Sequence, residues 1–365
     1  MEKAKISAYQ LFTLLLLFEL GSALVYTLAN GAKQDAWMAV LMAMVGGFCL
    51  FFIHYRLYCY YPNLPPMEYM QMLLGPVLGK IIAFLFILYF MYVAATILRG
   101  FGEMLVISAY PATPIFFINA LFILVIIYTV YKGIEVLSRT SEVLFFVVSL
   151  LAVSIFLLII LSGNINMDNL KPVFEEGVSP IIKTVFTDTL YFPFGQMIIF
   201  TMILPYVNER KKVKRTGLLA IGMSGFVLAL ITAMNISVLG IDRTTRSPFP
   251  FLTTIQMIEL AGFLERLDVY FILLVTLTAF VKLSVFFYVT VLSVSHLFHV
   301  KHPSHLAYPL GMVVLFLSMA VASNWTEYNQ EWFKVEYVYI DPLFQVILPI
   351  FLLIVAFFKN RKKAV

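Results

Sequence analysis

Apolar runs separated by short polar connections fill the whole chain. Since about 20 apolar residues carry a helix across the hydrocarbon core, the pattern predicts ten membrane spans: 8–28, 36–54, 81–109, 115–131, 142–161, 184–207, 217–239, 268–297, 306–321 and 342–358. A backbone in lipid must satisfy its own N–H and C=O groups, and without strand-like alternation the runs read as helices. The expectation is an all-α polytopic membrane protein with a single membrane domain. Its halves are spans one to five, about 8–161, and spans six to ten, about 184–358. The longest connections, 164–183, 240–267 and 322–341, are too short to carry a core of their own.

Two spans carry breaks at corresponding places in the two halves. In the first, Glu19 is followed by Gly21, Ser22 and Ala23 midway along the run. A carboxylate at that depth is costly unless it faces a partner or a wet cavity, and Gly21 and Ser22 are weak helix formers. Such a break frees backbone groups that can hold a small ion or zwitterion. The other reading of this stretch is a close-packed crossing with Glu19 bonded to a neighbour. The sixth span reads Phe192, Pro193, Phe194, Gly195 and runs on to Pro205. A proline removes a backbone donor in mid-helix, giving a break or, on the simpler reading, a kink. Interrupted helices at matching positions of two halves point to a transporter-type binding site.

Ionisable residues inside spans are the next signal. Arg99 and Glu103 are spaced i,i+4 and can meet on one helix face, either as a self-neutralised pair or as a gate in which Arg99 guards the outer vestibule. Lys282 lies near the middle of the eighth span and needs a counter-charge unless it snorkels towards an interface. Glu19 is the natural partner, as an intramembrane charge pair or a proton relay. Between the fourth and fifth spans, Arg139 with Glu135 and Glu142 reads as a scaffold clamp. His296, His299, His302 and His305 lack accompanying acidic or cysteine ligands, so no metal site is expected. With no nucleophile–base motif at membrane depth either, no catalytic residues and no cofactor are expected, and the chain is not read as an enzyme.

Composition fits this picture: 62% of residues are hydrophobic, 12% are charged, and the net charge is +5. The basic excess is a topology signal, because Lys and Arg are retained on the cytoplasmic side. Lys3, Lys5, Lys132, Arg139, the group from Arg210 to Arg215 and the group from Lys359 to Lys363 fall on one side, with fewer basic residues, such as Lys33, Lys171, Lys183 and Lys334, opposite. Both termini are therefore expected in the cytoplasm, and no nucleic-acid partner is required. Cys49 and Cys59 fall at the inner side, where thiols stay reduced.

Several segments together resemble the spore permease family, the B subunits of bacterial spore germinant receptors. They are Leu20 to Ala23, Tyr89 and Phe90 with Arg99 ten residues on, Thr113 and Pro114, Gly133 to Glu142, Asn169 to Val173, and Glu265 to Asp268. The resemblance implies a fold like that of the amino acid/polyamine/organocation transporters, a five-plus-five inverted repeat with discontinuous helices one and six. It assigns ligand binding to Gly21, Ser22 and Ala23, to Phe192, Phe194 and Gly195, and to Tyr89 on the third-helix wall. It also implies partners: a small nutrient such as an amino acid, sugar or ion, a larger A subunit and a lipoprotein C subunit, in the spore inner membrane or the cell membrane. On this resemblance the chain senses a nutrient and triggers germination. The alternative is a proton-coupled secondary transporter of an amino acid, working through Glu19 and Lys282.

Overall fold

Most of the apolar runs lie on helices, several of which extend a turn or two past the run, and two segments are larger exceptions. The computed structural model describes residues 5–258 and 267–361; Lys3, Glu265, Arg266, Lys362 and Lys363 lie outside the described residues. The helices are α1 (Ala8–Leu20), α2 (Ala36–Tyr60), α3 (Pro66–Leu74), α4 (Pro76–Ser108), α5 (Ile115–Tyr131), α6 (Ile134–Leu161), α7 (Ser179–Thr184), α8 (Val213–Arg246), α9 (Pro250–Gln256), α10 (Asp268–Phe298), α11 (Ala307–Ala320), α12 (Trp325–Glu331) and α13 (Leu348–Arg361). Seven helical stretches among the described residues are long and apolar enough to cross a membrane, and the shorter Ala8–Leu24 and Ile115–Tyr131 are also apolar. This is a multi-pass, all-helical membrane protein.

The first exception is the predicted sixth span. Its only α-helical residue is Thr184, the last of α7; a π-helical turn, Val185–Thr189, follows, then irregular backbone, then 3-10 turns at Phe194–Met202 and Leu204–Tyr206. Pro193 and Pro205 lack donors for an α ladder and Gly195 weakens it, so the segment departs further from a helix than a single break. The second exception is the tenth span, expected to begin at residue 342. Helix runs instead from Trp325 to Asn360, so the expected outer connection 322–341 is largely helical and sends one face, with Tyr328, Trp332, Glu336, Tyr337 and Asp341, into the interior. Glu336 and Asp341, polar residues of that stretch, are buried. The stretch Trp332–Ile340 and Pro342–Ile347 between α12 and α13 is π-helical. Pro342 cannot donate to the ladder, and wide turns of this kind recur at functional sites.

Packing sets the broken segments at the centre. α10 lies against α1, α4 and α6, while α2 packs on α8 and on the 3-10 turns of the sixth segment. At the end nearest the chain start the two interrupted segments are laced together. Ile6 N–H donates to the Tyr206 carbonyl at 3.0 Å and Asn208 N–H to the Ile6 carbonyl at 3.0 Å. The start of α1 is closed by a capping box between Ser7 and Gln10, and Ala8 N–H donates to Glu209 at 3.1 Å. Lys212 and that amide hold the Glu209 carboxyl below the usual range.

The clamp expected between spans four and five forms differently. Glu135 accepts from Lys5 N–H at 3.3 Å, Glu142 accepts from Gln10 at 3.5 Å, and Ser141 meets Thr13 at 2.9 Å. Among the described residues Arg139 makes no ion pair with either acid. The acids serve the start of the chain: Glu135 takes a backbone N–H just ahead of α1, and Glu142 takes the side-chain amide of Gln10 in its first turn.

Candidate functional site

α1 ends at Gly21, whose N–H closes the last turn on the Leu17 carbonyl at 2.9 Å. The next turn, Ser22–Leu24, is 3-10, and Ser22 and Ala23 are buried. The carbonyl of Gly21 opens that turn and also accepts a long 3.4 Å bond from the Thr278 hydroxyl on α10. Glycine is required here by the approach of α10: a Cβ would stand 2.5 Å from Lys282 Cδ, 2.9 Å from its Cβ and 2.8 Å from the Phe18 carbonyl. The break in the first segment and the lysine of the eighth span are thus one packing unit.

Glu19 and Lys282 are both fully buried, and among the described residues neither carboxylate oxygen of Glu19 nor Lys282 Nζ has a hydrogen-bond partner. Lys282 Nζ lies over two rings, 5.1 Å from the centre of Phe18 and 4.5 Å from that of Phe192, a cation–π placement that is strong when desolvated. Glu19, Glu336 and Asp341 are all within its electrostatic reach. The two residues are therefore neighbours through space and not a contact ion pair.

On the sixth segment, Phe192 faces the site through Lys282 and the ring of Trp332 at 4.8 Å. Phe194 packs against α2, its Cβ 2.9 Å from the position a Cβ on Gly47 would take. Gly195 leaves room for the Gln345 side-chain oxygen, with Gln345 Cδ 2.9 Å from the position a Cβ would take. On α4, Tyr89 is buried and its ring stacks on Phe344 at 4.6 Å and 3°. Its hydroxyl donates to Asp341 Oδ1 at 2.9 Å and accepts from Gln345 Nε2 at 2.8 Å. Tyr89 therefore joins the third-helix wall to the tenth segment.

An aromatic layer covers this site at the end away from residue 8. Tyr26 packs on Trp332 at 4.2 Å and on Phe192 at 6.0 Å; its hydroxyl meets that of Tyr328 at 3.1 Å, and Tyr328 donates to the Thr96 carbonyl at 3.2 Å. Beyond Tyr26 and Trp325 lies a groove of about 260 Å³ that also reaches Arg246 and Asn329. The Arg99–Glu103 pair forms as the spacing suggests, with Nε at 3.0 Å and Nη2 at 2.5 Å from Glu103 Oε1, both side chains buried.

Sequence reasoning missed Glu336, Asp341 and Gln345. The available signal was the aromatic run Tyr337 to Phe344, which continues the apolar face of the last span across the proline.

Comparison with known proteins follows the same lines. A family model described as "Spore germination protein" matches residues 5–326. The chain is 48% identical over 363 residues to Spore germination protein KB of Bacillus subtilis (strain 168), covering 100% of this chain and 97% of that protein. It is 27% identical over 364 residues to Putative spore germination protein YfkT of the same organism, covering 99% and 97%. Among solved structures it is similar to MhsT in complex with L-phenylalanine, with a TM-score of 0.63 at 16% identity over 98% of this chain and 86% of that one. It is also similar to MHP1, a nucleobase-cation-symport-1 family transporter, with a TM-score of 0.65 at 11% identity over 89% and 74%.

Proposed function

The chain belongs to the spore germination protein family, and from that premise we propose that it is the nutrient-sensing membrane subunit of a germinant receptor. A small nutrient, an amino acid first among the candidates, binds where the first and sixth segments lose their α-helix. The observation that carries this reading is the meeting of the Gly21 break, the non-α-helical backbone from Val185 to Met202 and the buried Lys282 at one place in the bundle. Backbone N–H and C=O groups outside an α ladder can hold both charges of a zwitterion. Binding then favours one of two conformers, and a larger A subunit and a lipoprotein C subunit pass on the shift. Arg99 and Glu103 steady the outer gate behind the aromatic layer. The membrane is the spore inner membrane, with both termini cytoplasmic.

The second reading is a proton-coupled amino acid transporter. It is favoured by Glu19 and Lys282, two buried titratable groups within electrostatic reach of each other. Thermal unfolding of the purified full chain against a panel of L-amino acids and sugars tests the sensing site: at least one must raise the unfolding temperature, and a flat panel contradicts both readings. Counterflow in proteoliposomes separates them, since robust exchange by the isolated subunit favours transport.

A further inference from the structure

The tenth segment brings polar groups to the sixth that the site described above leaves unused. Glu336, Asp341 and Gln345 are each at most 1% exposed. Three of their oxygens, Glu336 Oε2, Asp341 Oδ2 and Gln345 Oε1, have no hydrogen-bond partner among the described residues. They belong to one neighbourhood: Asp341 and Gln345 share the Tyr89 hydroxyl, Glu336 is within electrostatic reach of Asp341, and the Gln345 oxygen points at Gly195. Orphaned acceptors at this depth are costly in a native protein.

Charge decides what they suit. With Glu19, three buried carboxylates stand against the single buried ammonium of Lys282. That ammonium is held over the faces of Phe18 and Phe192 and makes no ion pair with any of them among the described residues. Asp188, on the sixth segment, already accepts from the Ala29 backbone. The region therefore favours an added positive charge. Calcium and magnesium would require six or more oxygens, whereas the three N–H donors of an alkylammonium ask for only three acceptors.

We propose that Asp341, Glu336 and the Gln345 side-chain oxygen form a seat for the ammonium group of the ligand, on the tenth segment and facing Gly195. This rests on the sensing site proposed above and assigns its ligand class: a primary amine or an amino acid, with an uncharged sugar excluded from this seat. The ligand's carboxylate, where it has one, is left to Lys282 and the 3-10 turn that follows Gly21.

The test uses the purified full chain in lipid nanodiscs and three probes at matched ionic strength: ethylammonium chloride, sodium propionate and potassium chloride. Ethylammonium should raise the unfolding temperature of the wild type above the level set by potassium chloride. The apparent affinity should fall roughly tenfold or more in Asp341→Asn, as expected for loss of one charge-assisted hydrogen bond. Glu336→Gln serves as the second variant should Asp341→Asn fold poorly, with a loss in the same direction. Equal shifts from potassium and ethylammonium would overturn the proposal in favour of an inorganic cation. An ethylammonium shift that survives in both variants, or no such shift, would also overturn it. An amino acid that stabilises the wild type and both variants alike removes the seat and leaves the sensing site standing. Ethylammonium binding that depends on Asp341, with every amino acid inert, keeps the seat and removes the sensing reading.

Discussion

Gly195→Ala probes the contact on which the sixth and tenth segments meet. The added methyl would stand 2.9 Å from Gln345 Cδ and 3.2 Å from the Leu190 carbonyl, and would overlap the Gln345 side-chain oxygen. Gln345 cannot swing aside freely, because it is fully buried and its Nε2 is bound to Tyr89 at 2.8 Å. Overpacking of this kind costs about 1–3 kcal/mol, and moving the amide off Tyr89 adds about 1 kcal/mol. Removing the obstacle should remove the penalty: in a Gln345→Ala background, Gly195→Ala should cost little, so the two changes couple by roughly 1–3 kcal/mol. The assay is unfolding of the four purified proteins in mixed micelles, read by tryptophan fluorescence. Additive effects, or a Gly195→Ala protein as stable as the wild type, would refute the contact and with it the placement of the tenth segment against the sixth.

Gly21→Ala should destabilise the protein by about 1–3 kcal/mol through overlap with Lys282 and the Phe18 carbonyl. It should also abolish the germination response of spores carrying it; an assembled mutant with a normal response argues against the first break as part of the site. Tyr89→Phe strips the partner from Asp341 Oδ1 and Gln345 Nε2, a loss of about 1–3 kcal/mol for each orphaned group, and unchanged thermal stability would reject the network. Glu103→Gln leaves the Arg99 guanidinium buried beside a neutral amide and should cost about 3–5 kcal/mol. The double change with Arg99→Met should cost less than that single one; greater damage would mean the pair is incidental.

The sequence carried the parts of the fold that hydrophobic length alone decides. Ile115–Tyr131 coincides with its predicted bounds, and Asp268–Phe298 and Ala307–Ala320 differ from theirs by a residue, because an apolar run in lipid has few alternatives to a helix. The break after Leu20 was legible for a local reason, Gly21 and Ser22 beside a mid-span carboxylate. The tenth segment was not legible, because Glu336, Asp341 and Pro342 are the residues that normally end a span. Only tertiary packing against Tyr89 and the sixth segment makes their burial tolerable. The same limit applies to Glu19 and Lys282: their depth could be read, but a lysine placed over Phe18 and Phe192 depends on three segments meeting. Phe194 was assigned to the pocket by its place in the motif, and the 3-10 winding of its segment turns it towards Gly47.

An experimental structure of the full chain in a lipid nanodisc, bound to the amino acid that most raises its unfolding temperature, tests the central claim most directly. The account requires ligand density touching the backbone at Gly21 to Ala23 and at Phe192 to Gly195, with Lys282 and the tenth segment at its edge. Density elsewhere, or continuous α-helix through both segments, would contradict it.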